Sequence, residues 1–226
     1  MTITFCSTVI FDLDGTLLNT LEDLADSMNA ALEDMGFPRH SLDKYRYFVG
    51  DGVPAMARRA LPAGARGEEM VEICVEKMKK EYVRRWDRKT RLYPGVARML
   101  DALADLNIPM NILSNKIADF TGKVVDRYLA AWPFRHVVGV SDDIPKKPAP
   151  QGALSIAVES GIPPEKFLFL GDSGTDMQTA CAAGMVPVGA EWGFRTCGEL
   201  LENGACEVIR RPMELLKYFQ ARRGKE

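Results

Sequence analysis

Thr8-Val9-Ile10-Phe11-Asp12-Leu13-Asp14-Gly15-Thr16-Leu17-Leu18 is the stretch on which the reading of this chain turns. Val9 to Phe11 is a short run of β-branched and aromatic side chains, the composition of a buried strand. Asp12 and Asp14 follow, and Gly15-Thr16 breaks the run. Side chains alternate along a strand, so Asp12 and Asp14 point to one side and Leu13 to the other. Two carboxylates that close repel each other unless a cation or a shared proton lies between them. The pair therefore predicts a bound Mg²⁺ ion, with one of the carboxylates attacking a phosphorus atom.

Beyond Gly15 the pattern changes. Leu17, Leu21, Leu24, Met28, Leu32 and Met35 recur three or four residues apart, the stripe of an amphipathic helix, and Gly36-Phe37-Pro38 ends it. Two shorter helices are predicted near 42–48 and 54–61, separated by the loop Val49-Gly50-Asp51-Gly52-Val53. Pro62 to Gly67 reads as a linker. A long helix over about 68–85 carries Met70, Cys74, Met78 and Tyr82 at spacing four. No strand is predicted between Leu17 and Thr90, so this stretch forms an all-helical island.

After Tyr93-Pro94-Gly95, helices and strands alternate. Val96, Met99, Leu100, Leu103 and Leu106 make a helix stripe, and Met110 to Leu113 is a strand ending in Ser114-Asn115-Lys116. Further strands are predicted at 136–140, 167–170, 185–188 and weakly at 207–209, with helices between them, a last helix over 213–219 and a frayed tail from Arg222 to Glu226. Such alternation implies an α/β fold, a Rossmann-like parallel sheet sandwiched by helices. Right-handed crossovers put the C-terminal ends of all strands on one edge, and the ligand site lies outside that edge. Asp12, Asp14, Ser114, Asn115, Asp172 and Asp176 fall there, with Lys146 and Lys147 in a neighbouring loop.

The composition is that of an ordinary globular protein, with 46% hydrophobic and 27% charged residues. A formal net charge of −2 argues against a basic nucleic-acid-binding surface. Cys6, Cys74, Cys181, Cys197 and Cys206 form no C-x-x-C pair, so reduced thiols are expected rather than disulfides or a zinc site. The N-terminal apolar run has no preceding Lys or Arg and is cut short by Asp12, so neither a signal peptide nor a membrane span is predicted. The expected setting is the cytoplasm, and the expected form a monomer or small homo-oligomer.

The polar edge suits a phosphate ester. Several carboxylates make a hard oxygen site of the kind Mg²⁺ prefers. A lysine adds positive charge, and Ser114, expected at a helix N-terminus, adds a hydroxyl and nearby N–H donors. A carboxylate nucleophile can form an aspartyl-phosphate and divide the reaction into two displacements. Asp-Leu-Asp-Gly-Thr-Leu at 12–17, Leu-Ser-Asn at 113–115, Lys-Pro at 147–148 and Gly-Asp-Ser-Gly-Thr-Asp at 171–176 resemble, in order, the four motifs of the haloacid dehalogenase superfamily of phosphatases. The resemblance covers nearly the whole chain. It implies a catalytic core over 1–16 and 91–226 and an inserted helical cap domain over 17–90. It also implies that Asp12 is the nucleophile and Asp14 the general acid/base. Mg²⁺ would be held by Asp12, the Asp14 main-chain carbonyl and Asp172, with Asp176 nearby, while Ser114, Asn115 and Lys147 bind the phosphoryl group. Phe48-Val49-Gly50-Asp51-Gly52, Lys147-Pro148-Ala149-Pro150 and Trp192-Gly193-Phe194 further resemble phosphoglycolate phosphatases, which brings in Gly50 and Gly52 as substrate contacts.

Plainer readings exist for each residue taken alone. An aspartate at a strand end is often solvated, Ser114 could be a helix cap, and Asp176 could merely start a helix. Gly50 and Gly52 could only allow a turn. Arg58, Arg59 and Arg195 could be exposed helix charges, and His40 and His136 are read as structural. Another small phosphorylated substrate, a pyrophosphatase or a phosphosugar mutase would keep the same motifs. A dehalogenase would need neither Mg²⁺ nor the acid at Asp14. A receiver-like phospho-acceptor module would be about half as long, with its acceptor after a middle strand.

Overall fold

The computed structural model describes residues 6–219, so the expected fraying of the last residues lies outside the described part. Six strands form one sheet: β1 (Thr8–Phe11), β4 (Met110–Ile117), β5 (Phe134–Val140), β6 (Phe167–Gly171), β7 (Val186–Ala190) and β8 (Glu207–Ile209). Their order is β5-β4-β1-β6-β7-β8, and every neighbouring pair is parallel. The burial of each strand follows its place. Central β1 and β6 are buried along their whole length, whereas edge strand β5 alternates. The fold is a Rossmann-like α/β sandwich. Chain order runs outward from β1 to β4 and β5, then returns to the other side of β1 for β6. The C-terminal end of β1 is thus a topological switch point, where a crevice opens between diverging loops.

The helices between these strands are α5 (Val96–Asp105), α6 (Ala118–Tyr128), α7 (Gln151–Ser160), α8 (Gly174–Ala182) and α9 (Cys197–Glu202). Val96, Met99, Leu100 and Leu103 of α5 are buried, whereas Leu106, expected in the same stripe, caps the helix and is exposed. Ile10, Leu113, Ile156, Phe167, Phe169, Ala180 and Met185 form one continuous core cluster. The chain divides into two compact units, Met1–Leu17 with Leu92–Glu226, and Leu18–Arg91.

The second unit holds α1 (Leu21–Asp34), α2 (Leu42–Phe48), α3 (Val53–Ala60) and α4 (Glu68–Val83). Its core takes Leu24, Met28 and Leu32 from α1 and Cys74, Met78 and Tyr82 from α4. Inside it, Asn29 accepts hydrogen bonds from the Tyr45 hydroxyl (2.7 Å) and the His40 main chain (2.9 Å), and the His40 ring lies 2.7 Å from the Ala60 carbonyl. His40 therefore ties helices together.

Three expectations need correction. The unit is not wholly helical. Leu18–Asn19 (β2) and Arg91–Leu92 (β3) pair as a two-stranded sheet, so α1 starts at Leu21 rather than Leu17. Strand β4 does not stop at Leu113. It continues to Ile117, and α6 starts at Ala118, so Ser114 lies in an irregular strand and not at a helix N-terminus. The last helix, Pro212–Tyr218, is 3₁₀.

One buried acid closes the helical unit. Asp23 on α1 is 1% exposed and accepts from the Lys89 N–H, the Thr90 N–H and the Thr90 hydroxyl, at 2.8–3.1 Å. Removing it leaves three donors unpaired. Asp23→Ala is expected to destabilise the protein by about 2–3 kcal/mol, read from urea unfolding; a loss near zero would show that water replaces the carboxylate.

Candidate active site

Asp12, Asp172 and Asp176 converge at the switch point, each buried, with carboxylate oxygens within 4.8 Å of one another. Asp12 follows β1 directly, and its N–H is bonded to the Leu170 carbonyl of β6. Asp172 follows β6, and Asp176 lies in the first turn of α8. Lys147 reaches the cluster from the loop before α7. Its ammonium is 4% exposed and donates to Asp12 Oδ1 (2.6 Å), Asp176 Oδ1 (2.6 Å) and the Leu113 carbonyl (3.0 Å).

Asp176 has two tasks. One oxygen bonds Lys147, and the other accepts from the Ser173 N–H and hydroxyl, closing a capping box on α8. The structural and chemical readings of this residue are therefore both realised. Asp172 is gripped differently. Oδ1 accepts from the Thr16 hydroxyl (3.1 Å) and Oδ2 from the Phe194 N–H (2.6 Å), while the Trp192 indole donates to the Thr16 carbonyl (2.9 Å). Two glycines make room for it. A Cβ at Gly15, where φ is +98°, would sit 2.3 Å from Asp172 Oδ2, and one at Gly193 would sit 2.2 Å from Asp172 Cβ.

With all of them ionised, three carboxylates and one ammonium would carry a buried excess of two negative charges. Burial pushes the Asp12 carboxyl well above the ordinary range, although Lys147 opposes the shift and Asp176 and Asp172 add to it. Burial, with Asp176, also raises Asp172 to about 7, against the pull of the Phe194 N–H, Arg195 and Thr16. Burial disfavours the charged Lys147, but Asp12 and Asp176 outweigh it and hold the amine firmly protonated. An excess of two negative charges on hard oxygen donors fits a divalent cation such as Mg²⁺.

Asp14 stands apart from this cluster. Its Oδ2 pairs with Lys116 at 2.9 Å, and its Oδ1 is buried with no hydrogen-bond partner among the described residues. Ser114 is buried, and its hydroxyl accepts the Lys116 N–H at 3.1 Å. Asn115 bonds the main chain of Lys147 twice, accepting its N–H at 2.7 Å and donating to its carbonyl at 3.2 Å. That amide holds the lysine loop in place. Gly50 and Gly52 belong to the helical unit, with φ of +120° and +85°, and the turn requires glycine at both. Arg59 ties this loop down, pairing with Asp51 and bonding the carbonyls of Tyr47 and Phe48. Arg58 pairs with Glu68 on the surface, but Arg195 is not the exposed helix charge expected: it precedes α9, pairs with Glu199 and has only 8% of its side chain exposed. Among the described residues no helix is long and apolar enough to cross a membrane.

Sequence reasoning assigned no role to Thr16, Lys116 or the Phe194 N–H. Trp192-Gly193-Phe194 had been noted as a pattern, but its contact with Asp172 joins positions far apart in the chain.

The chain is similar to known proteins. The family model of the haloacid dehalogenase-like hydrolases matches residues 9–190. A phosphoglycolate phosphatase of Pseudomonas syringae pv. tomato is 32% identical over 205 residues, 89% of this chain and 75% of that protein. One from Pseudomonas putida is 34% identical over 190 residues, covering 82% and 70%. A crystal structure from Lactobacillus delbrueckii subsp. bulgaricus superposes with a TM-score of 0.90 at 25% identity, over 96% of this chain and all of that one. The chain belongs to the haloacid dehalogenase-like hydrolases. Within that family it is a phosphatase, similar to the phosphoglycolate phosphatases.

The grip on Asp172 gives a direct test. Gly193→Ala should displace the Asp172 carboxylate and weaken divalent-cation binding, followed by calorimetry with added Mg²⁺, by about 10–100-fold. Unchanged affinity would mean that Asp172 is free to move without loss.

Proposed function

We propose that the protein is a Mg²⁺-dependent phosphomonoesterase working through an aspartyl-phosphate on Asp12, with phosphoglycolate as its leading substrate. The carrying observation is the buried cluster of Asp12, Asp172 and Asp176 bridged by Lys147. Asp12, Asp172 and the Asp14 carbonyl would hold Mg²⁺, with Asp176 beside them; when bound, the ion neutralises charge on the phosphoryl oxygens.

The remaining chemistry belongs to the chain. Lys147 holds one oxygen of Asp12, which leaves the other to attack phosphorus. As the new O–P bond forms, the ester P–O bond breaks and its electron pair leaves with the alkoxide. Asp14 supplies the proton to that oxygen. A water molecule, giving a proton back to Asp14, then attacks the acyl phosphate, releasing inorganic phosphate and restoring Asp12. The Ser114 hydroxyl would donate to a phosphoryl oxygen, and the Lys147 ammonium would reach another by giving up one of its three present bonds while its charge acts on the group throughout, so most of the rate enhancement is positioning and charge stabilisation. Asn115 contributes by fixing the Lys147 main chain.

Phosphoglycolate is supported by the names of the relatives in Pseudomonas syringae and Pseudomonas putida. The helical unit, through the loop carrying Gly50 and Gly52, is the proposed discriminator among phosphomonoesters. The expected setting remains the cytoplasm.

Asp12→Asn should lower turnover of p-nitrophenyl phosphate with Mg²⁺ by more than about a thousandfold while the protein still unfolds cooperatively. Acid quenching of the wild type during turnover should trap a phosphoryl group on Asp12. Full activity in Asp12→Asn would sink the covalent route. In a panel of phosphomonoesters ranked by kcat/KM, phosphoglycolate is expected first; another ester at the head of the ranking would overturn the substrate assignment alone.

A further inference from the structure

Lys116 is a largely covered charge at the active edge, with 9% of its side chain exposed, that the mechanism above leaves unused. It lies in the irregular part of β4. Leu113 pairs with Val138 and Ile117 with Val140, so β4 advances four residues while β5 advances two. Bulges of this kind re-aim side chains beside active sites. The bulged main chain is held on both sides: the Lys116 N–H donates to Ser114 Oγ at 3.1 Å, and its carbonyl accepts from Thr121 Oγ1 at 3.2 Å. Its ammonium reaches Asp14 at 2.9 Å, with side-chain exposures of only 9% and 15%.

That contact decides where Asp14 points. One of its oxygens is on Lys116, and the other is buried with no hydrogen-bond partner among the described residues. Asp172 and Asp176 belong to the β6 side of β1, whereas Lys116 and Ser114 belong to the β4 side. Asp14 is therefore paired with a residue of the strand that also carries Ser114, and it is not part of the Asp12, Asp172 and Asp176 cluster.

We propose that Lys116 is a positioning residue that holds the Asp14 carboxylate on the Ser114 side of the site, where its proton reaches the departing ester oxygen. The proposal rests on the reading of Asp14 as proton carrier. The lysine itself neither gains nor loses a proton: the Asp14 proton goes to the ester oxygen as the P–O bond breaks. An Nζ–H bond from Lys116 to Asp14 Oδ2 restricts the Asp14 side chain to one rotamer whether the group is ionised or not, and when Asp14 carries its proton that proton is on the other oxygen, Oδ1, which has no hydrogen-bond partner among the described residues.

Leaving-group dependence separates this role from a merely structural one. p-Nitrophenolate departs without much protonation, whereas an alkoxide needs the acid. kcat/KM reports the steps up to formation of the aspartyl-phosphate, where the leaving group departs. Lys116→Met should lower kcat/KM for the best alkyl phosphomonoester by about 100-fold, and for p-nitrophenyl phosphate by less than about fivefold. Asp14→Asn should show the same split, Lys116→Gln should repeat it, and Lys116→Arg should recover most of the alkyl activity. Equal losses on both esters in Lys116→Met and Lys116→Gln would overturn the proposal. A split in Asp14→Asn without one in the Lys116 variants removes Lys116 alone and leaves the phosphatase mechanism standing. No split in Asp14→Asn removes Asp14 as donor and this proposal with it, while the effect of Asp12→Asn still reports on the covalent route.

Discussion

The buried meeting of three carboxylates with one ammonium is the constraint on which the active edge depends. Taking a charge out of water costs several kcal/mol even after relaxation. Lys147 offsets part of that cost for Asp12 and Asp176 with two short hydrogen bonds, and the Phe194 N–H and Thr16 hydroxyl offset part for Asp172. What remains is burial, with the neighbouring carboxylates adding to it, and together they hold Asp12 and Asp172 above their ordinary proton affinity. Such a site is unfavourable by itself and favourable around a divalent cation. The surrounding contacts serve to keep it assembled: Asn115 holds the lysine loop, Ser173 holds Asp176, and the absent Cβ atoms of Gly15 and Gly193 leave space for Asp172.

The topology makes this meeting possible. Parallel strands ordered outward from β1 in both directions bring the ends of β4 and β6 to either side of Asp12. Asp172 and Asp176 come from the β6 side, and Ser114 from the β4 side. Asp14 belongs to the same strand end as Asp12 but pairs with Lys116 of β4, whereas Asp12 pairs with Lys147. Two carboxylates two residues apart thus acquire different surroundings, the asymmetry that the proposed division into nucleophile and proton carrier requires.

Much of this was readable from residue order. The apolar run Val9–Phe11 is buried throughout, as its composition requires, and the stripes of α1, α4 and α5 face their cores. Asp12, Ser114, Asp172 and Asp176 were picked out because each follows or interrupts an apolar strand. Other features were hidden for a physical reason. A two-residue strand such as Leu18–Asn19 has too little sequence to show a period, and exists only because Arg91–Leu92 comes alongside. The bulge at Ser114–Lys116 looked like the end of a strand, since polar residues inside a strand imitate a loop. The pairing of Lys116 with Asp14 follows from that bulge and has no local signature.

The sequence by itself determined the class of fold, the four motifs and the identity of the groups that carry charge, because periodicity and residue chemistry are local properties. The tertiary structure decided which of those groups touch. Thr16 and Asp172 lie 156 positions apart, yet one hydrogen bond joins them. Only the packing of strands against one another sets such distances, and only burial gives ordinary aspartates a raised proton affinity. The first motif named two carboxylates; the folded chain turned one toward Lys147 and the other toward Lys116.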